Sequence, residues 1–372
     1  MTKKIVVGLI AAPELPAAIG KKYIEKIPHH LQEIIGKDVS WEMEFIVDPL
    51  TGAAETVGEM LEKAIEIKKT EEWDYAVCLT DLPLFHNRNI VGADISLHHA
   101  VAQLSIPVFG WLPTKKRIEK SIIQIIREIY YYQGNSDKID EIEKSDPEVI
   151  LQKQFPVSRV KRLSSDDDHV GKEARYIVFP KKLGILRLVM GMTQANQPMS
   201  IMPSFKRIIA VAFSTGIFGL IFSTIWELSY LLSTYRLLGL NAAAIGLMVF
   251  WIITAHNLWE SPATRTDAKL RRLYNQTTVL TLLISVLSYY AVLFLLFLIA
   301  IVIVIPPDVY VFSIDLEEEF TFLYFLRLAW IATSISTIVG AIGASLENEE
   351  LVRDITYGYR QKRRYNEINS KK

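Results

Sequence analysis

Residues 277–305 read TTVLTLLISVLSYYAVLFLLFLIAIVIVI, a run without a charged side chain that Pro306 and Pro307 close. About 20 mainly apolar residues suffice to cross a bilayer, because a helix rises about 1.5 Å per residue through about 30 Å of hydrocarbon. Wholly helical, this run would extend about 43 Å, so tilt or protrusion is expected. The prolines, which bring no amide donor, supply its stop. Working outward, residues 208–226, 237–259 and 320–346 meet the same criterion. Residues 206–346 are therefore expected to form an all-α bundle of four transmembrane helices.

Basic side chains give that bundle a direction. Lys206 and Arg207 precede the first span; Arg265, Lys269, Arg271 and Arg272 fill the connection between the second and third. Arg353, Arg360, Lys362, Arg363 and Arg364 follow the fourth, whereas the connection before it carries Asp308, Asp315, Glu317, Glu318 and Glu319 and no basic residue. Lys and Arg accumulate on the cytoplasmic side. Both termini are thus expected in the cytoplasm of a multi-pass cell-membrane protein, with residues 347–372 as a basic cytoplasmic tail. Lys3-Lys4 and the apolar residues 5–12 imitate a short signal peptide, but Glu14 follows at once and export of residues 1–205 would invert the charge asymmetry. The run is read as a first β-strand.

Composition narrows the function classes. The chain of 372 residues is half apolar and 22% charged, with mean hydropathy +0.22 and 41 basic against 41 acidic residues. A net charge of zero without a basic, aromatic-interleaved stripe argues against nucleic acid as a partner. The single cysteine, Cys78, sits in an apolar strand pattern and reads as a small buried hydrophobe.

Residues 1–134 alternate strand and helix signals, and predict a cytoplasmic α/β domain whose sheet is mainly parallel with a possible antiparallel edge. Strands are expected at residues 5–11, 41–47, 75–80, 89–96 and 101–111. Helices are expected over 15–35, bent or split by Gly20 and Pro28, over 53–69, and through Ile118, Ile122, Ile125, Ile126 and Ile129. Residues 135–205 read as a linker holding a β-hairpin (157–164 with 174–179, around the acidic tip Asp166-Asp167-Asp168) and a pre-membrane helix over 183–193. Two placements stand for that helix: in the membrane interface or packed on the α/β domain.

Ligands of open α/β sheets bind beyond the carboxyl ends of the strands. Those ends carry Glu14, Asp48, Thr80 and Asp81, the expected ligand-binding residues, with Asp81 the best candidate for a catalytic one. The bland reading of Asp81 is a turn residue capping backbone amides. No GxGxxG follows the first strand and no GxxxxGK[ST] occurs, so the phosphate cradles of dinucleotide and P-loop chemistry are missing. His98-His99 with Asp94 and His86 is the nearest approach to a metal-ligand group, yet adjacent strand residues point to opposite faces. No metal and no cofactor are assigned. Within the spans, Arg327 is costly unless partnered. Glu227 shares a helical face with Ser223 and Gly216, and a structural Glu227–Arg327 ion pair is expected, against separate snorkelling of each side chain. Ser336, Gly340 and Ala344 form a small-residue ridge suited to packing, and the spans lack the serial acids and histidines of a proton relay.

The segments AVCLTDLPL (76–84), IPVFG (106–110) and LRLVMGMTQANQP (186–198) resemble a family of uncharacterised Gram-positive bacterial multi-pass membrane proteins with an N-terminal α/β domain. That resemblance implies location and domain plan without an activity. VCLTDLPLF is also similar, over about eight residues, to a segment of the methylene-tetrahydrofolate dehydrogenase/cyclohydrolases, whose glycine-rich nucleotide pattern and Tyr-xxx-Lys are missing here. The strand order resembles the front half of metzincin-type peptidases, but the helix that would carry HExxH reads RIEKSIIQIIREIYY. The function expected is ligand or partner binding, or assembly, at the cytoplasmic membrane surface. The lipid bilayer is one partner, and a membrane protein or a second copy the other. The alternative is a membrane-tethered enzyme acting around Asp81, for example a folate- or nucleotide-linked oxidoreductase.

Overall fold

A continuous apolar strand has to be covered on both faces, and β1 (Lys3–Ala11) lies inside a sheet between β2 (Val39–Val47) and β3 (Tyr75–Thr80), parallel to both. The computed structural model describes residues 3–36, 39–49, 57–86, 89–111, 115–134, 154, 159–167, 171–203, 205–262, 267–315 and 319–343, and, further on, 353, 356, 359–361, 363, 364 and 366. The chain divides into two compact units, Met1–Ala195 with Gln361–Lys372, and Asn196–Arg360.

In the first unit, β4 (Leu84–His86), β5 (Asn89–Ser96), β6 (Val101–Ser105), β7 (Arg159–Asp167) and β8 (Gly171–Phe179) complete the sheet, in the order β2-β1-β3-β6-β5-β8-β7 with β4 on β5. The first four of that order are parallel; every pairing of β4, β5, β7 and β8 is antiparallel. The class is as expected, but the antiparallel part is half the sheet and not an edge. The expected helix over 15–35 is split into α1 (Leu15–Tyr23) and α2 (Ile27–Ile35), with Pro28 in the first turn of α2, where its missing amide costs nothing. α3 spans Val57–Thr70. The strand expected over 101–111 stops at Ser105, because Ile106-Pro107 turns into a 3-10 segment and proline cannot extend the ladder. His98 and His99 lie in the tight turn between β5 and β6 and not on a strand.

α4 (Lys115–Gly134) buries the five isoleucines of its predicted face. Glu128, on the same helix, ties the hairpin down: the Tyr176 hydroxyl donates to Oε2 at 2.5 Å and Arg162 to Oε1 at 2.5 Å. Burial, then the Glu128 carboxylate, pushes the Tyr176 phenol well above its usual range. α5 (Lys181–Ala195) packs on the 3-10 segment Ile106–Phe109, and a Cβ on Gly191 would stand 1.9 Å from the Pro107 carbonyl oxygen. The helix is thus packed on the α/β domain, while Leu183, Leu186 and Met190 are exposed. Residues 135–153 and the tip 168–170 lie outside the described residues, as does Ala344.

The second unit holds α6 (Lys206–Gly219), α7 (Ser223–Leu231), α8 (Thr234–Ala255), α9 (Ala268–Val304), α10 (Pro307–Ser313) and α11 (Phe322–Gly343). Three helices, α8, α9 and residues 322–342 of α11, are long and apolar enough to cross a membrane; α6 with α7 makes a fourth crossing if the pair, bent by 93°, is one span. The first expected span is therefore not one straight helix, and Glu227 does not share a face with Gly216. α9 starts nine residues before the expected span, with Asp267 accepting the Lys269 amide as its cap, and at 37 residues rises about 55 Å. The small-residue ridge packs: Gly216 faces Phe297 and Ser336, and Gly340 faces Tyr289, Ile208 and Ala212. Buried hydroxyls on α9 return to carbonyls one turn back, Thr277 to Leu273 at 2.9 Å and Thr281 to Thr277 at 2.8 Å.

Arg327 corrects the expected ion pair. Its Nε donates to the Ser229 carbonyl at 2.9 Å and its Nη2 to the Leu232 carbonyl. α7 ends at Leu231, so these carbonyls lack helical partners and take the guanidinium instead. Trp226 and Ser229 are buried and Glu227 is exposed, which turns its carboxylate away. Arg327→Gln is expected to reduce membrane accumulation several-fold by immunoblot of membrane fractions, whereas Glu227→Gln leaves it unchanged. In the first unit, Glu128→Gln should lower the unfolding free energy by about 2 kcal/mol in denaturant titrations, since it weakens two charge-assisted bonds at a buried site.

Candidate functional site

The parallel register aligns three strand ends. Ala11 stands opposite Val47 on β2 and Leu79 on β3, and the ladder continues through Ala12 N–H to the Leu79 carbonyl at 2.9 Å and Asp48 N–H to the Ala11 carbonyl at 3.0 Å. Glu14, Asp48 and Asp81 thus leave the sheet at one edge. The order β2-β1-β3 makes this the topological switch point, where successive connections diverge and where open α/β sheets place their ligand crevice.

Each wall of the crevice is fixed locally. Glu14 holds φ 70° and ψ −119° immediately before α1, a strained backbone for a residue with a side chain. Thr80 spends its hydroxyl on the turn, accepting the Leu82 amide at 3.0 Å, and Ser105 donates to the Leu82 carbonyl at 2.8 Å. Thr80 thus caps the turn that the bland reading gave to Asp81. Asp81, 1% exposed, is left to face a cation.

That cation comes from the far end of the chain. Arg364, 3% exposed, donates from Nη1 to Asp81 Oδ1 at 3.0 Å and from Nη2 to Asp81 Oδ2 at 3.2 Å, a fork-to-fork pair. The same Nη2 lies 3.4 Å from Glu14 Oε2 and 3.4 Å from the Pro13 carbonyl oxygen. Arg363 adds a contact of 3.5 Å to Glu14 Oε1. Two carboxylates separated by 67 positions in sequence (81 − 14) therefore converge on one buried guanidinium. Arg363 and Arg364 were legible in the sequence only as topology signals. The missed clue was charge: carboxylates at a buried sheet edge need a compensating cation.

The two oxygens of Asp81 take Arg364 through paired hydrogen bonds, a geometry that guanidinium satisfies and ammonium does not. The sign of the crevice is wrong for a phosphate, because the position that a glycine-rich cradle would occupy carries Glu14. Asp48 is half-buried at the same edge. Burial, and secondarily the Asp48 charge, pushes the adjacent Cys78 thiol up, which leaves it protonated and unreactive.

The histidine group resolves into other contacts. Arg175 Nε donates to Asp94 Oδ1 at 2.9 Å and Nη2 to Glu173 Oε2 at 2.7 Å, and Nη1 lies 2.8 Å from His86 Nδ1. Among the described residues, no three His, Cys, Asp or Glu side chains are placed to hold a metal ion. His99 is shifted down from its ordinary range by burial, then by His98, Lys68 and Lys69.

No family model, no curated protein and no solved structure matches this chain. Asp81→Asn weakens charge-assisted bonds worth about 1.5–3 kcal/mol. Because the tail can move into water, the expected result is release of the tail and not unfolding of the domain. Limited trypsin digestion should cut after Arg363 and Arg364 at least about tenfold faster in Asp81→Asn than in the parent protein, with an unchanged thermal midpoint for the domain.

Proposed function

We propose that the α/β domain is a partner-binding module whose switch-point crevice receives an arginine side chain of another polypeptide, and that Arg364 is an internal occupant of the same place. The chain combines a multi-helix membrane region with an α/β domain. This reading gives it an assembly role at the membrane surface. The observation that carries it is the buried, two-pronged Asp81–Arg364 pair with Glu14 beside it. A tethered occupant competes at an effective concentration of about millimolar, so an incoming arginine must bind better than that or arrive with further contacts. Such competition makes the crevice selective for a segment with additional recognition.

The orientation that suits this role has both termini in the cytoplasm of the cell membrane, with α6 and α7 together making one crossing. The placement of Lys206, Arg207, Arg271, Arg272 and the basic residues after α11 supports it. The enzyme alternative gains no support from the crevice. A base at Asp81 would have both carboxylate oxygens engaged by Arg364, and a nucleotide or folate-linked phosphate would approach two carboxylates.

Removal of residues 361–372 from the full chain tests the proposal. In calorimetric titrations with a short arginine-bearing peptide, the truncated protein is expected to bind at least about tenfold more tightly than the intact protein. A peptide with lysine in place of arginine should bind more weakly, and Asp81→Asn in the truncated background should abolish binding. Equal binding by intact and truncated protein, or retention of binding by Asp81→Asn, overturns the reading.

A further inference from the structure

Beside the first turns of α9 lies an open groove of about 600 Å³, walled on its other side by residues 259–262. Its lining changes character along the helix. Arg272, Gln276, Val279 and Leu283 follow one another at steps of four, three and four and so share one face. From Arg272 to Leu283 that face rises about 16 Å, from guanidinium through a side-chain amide to hydrocarbon. Arg271 lines the same mouth, and Leu280 the apolar floor. Opposite stands Trp259, 55% exposed, a residue type that settles at the headgroup level of membranes.

The groove is preformed. Asn275, buried in its wall, accepts the Glu260 amide at 2.8 Å and donates to the Glu260 carbonyl at 3.0 Å, which clamps the segment after α8 against α9. Among the described lining residues, Glu260 is the acidic one against Arg271 and Arg272, which leaves them net positive by one charge.

We propose that this groove binds one anionic phospholipid. Its phosphate diester is held by Arg271 and Arg272, its ester region meets Gln276, and an acyl chain lies along Val279, Leu280 and Leu283. Guanidinium groups take phosphate oxygens in paired hydrogen bonds, and basic pockets between membrane helices select anionic headgroups. The apolar floor that continues from the cationic mouth assigns the site to a lipid and not to a soluble phosphate. A topology signal alone would require basic residues near an apolar span and would not require a groove between residues 259–262 and α9 that joins the two. The site stands apart from the crevice reading and does not depend on it.

Native mass spectrometry of the full chain released from nanodiscs with equal phosphatidylglycerol and phosphatidylcholine tests this. The parent protein is expected to retain phosphatidylglycerol over phosphatidylcholine on the order of tenfold. Arg271→Gln with Arg272→Gln should remove the preference, and Arg271→Lys with Arg272→Lys should keep most of it. Val279→Trp, which fills the groove and leaves both arginines, should reduce retention of either lipid. Equal retention of the two lipids by the parent protein, an unchanged preference in the glutamine pair, undiminished retention in Val279→Trp, or displacement of the lipid by soluble glycerol phosphate each overturns the proposal. If the glutamine pair fails to fold by size-exclusion chromatography, the parent comparison and Val279→Trp decide.

Discussion

A backbone amide or carbonyl inside hydrocarbon has to find its partner within the protein, and that requirement shapes the membrane unit wherever a helix breaks. The bend between α6 and α7 frees the Leu220 carbonyl, and Trp226 Nε1 donates to it at 2.9 Å. The end of α7 frees the carbonyls of Ser229 and Leu232, and Arg327 takes both. Pro198 leaves its carbonyl to the Ser285 hydroxyl at 2.7 Å. Ser285 of α9 and Arg327 of α11 thus satisfy carbonyls that helix ends and turns leave open, while at the bend α7 does so with its own Trp226. The long helices α9 and α11 supply two of these three side chains, and α7 supplies the third.

The α/β unit meets the same accounting with charge in place of amides. A parallel register brings the ends of β1, β2 and β3 level, and any carboxylate there is half-enclosed by neighbouring turns. Glu14 and Asp81 occupy that edge, and burying Asp81 without a cation would be costly. Arg364 answers the charge, with Glu14, on its strained backbone, 3.4 Å from the same guanidinium.

Much of this was legible in the sequence because it rests on local periodicity. The continuous apolar run of β1, the isoleucine face of α4 and the proline stop after α9 each follow from patterns within a few residues. The carboxyl-end rule also named Glu14, Asp48, Thr80 and Asp81 before any geometry. What escaped was relational. Around Leu220 only Gly216 and Gly219 punctuate an apolar run that continues through the bend of α6 against α7. The guanidinium that meets Asp81 comes from 283 positions away, a pairing that no spacing encodes. Glu227 and Arg327 have opposite charges and similar depth, which suggests a pair. The unpaired carbonyls at the end of α7, invisible in a string of letters, win instead.

One consequence follows from the order in which a ribosome makes this chain. The carboxylates Glu14 and Asp81 have emerged with residues 1–195, yet the guanidinium that meets them is translated after all of Asn196–Arg360. At about 5–20 residues per second the acidic edge waits for roughly ten to thirty seconds while the hydrophobic helices are threaded into the bilayer. Docking of Arg364 on Asp81 thus has to wait until the helices of Asn196–Arg360 have been made.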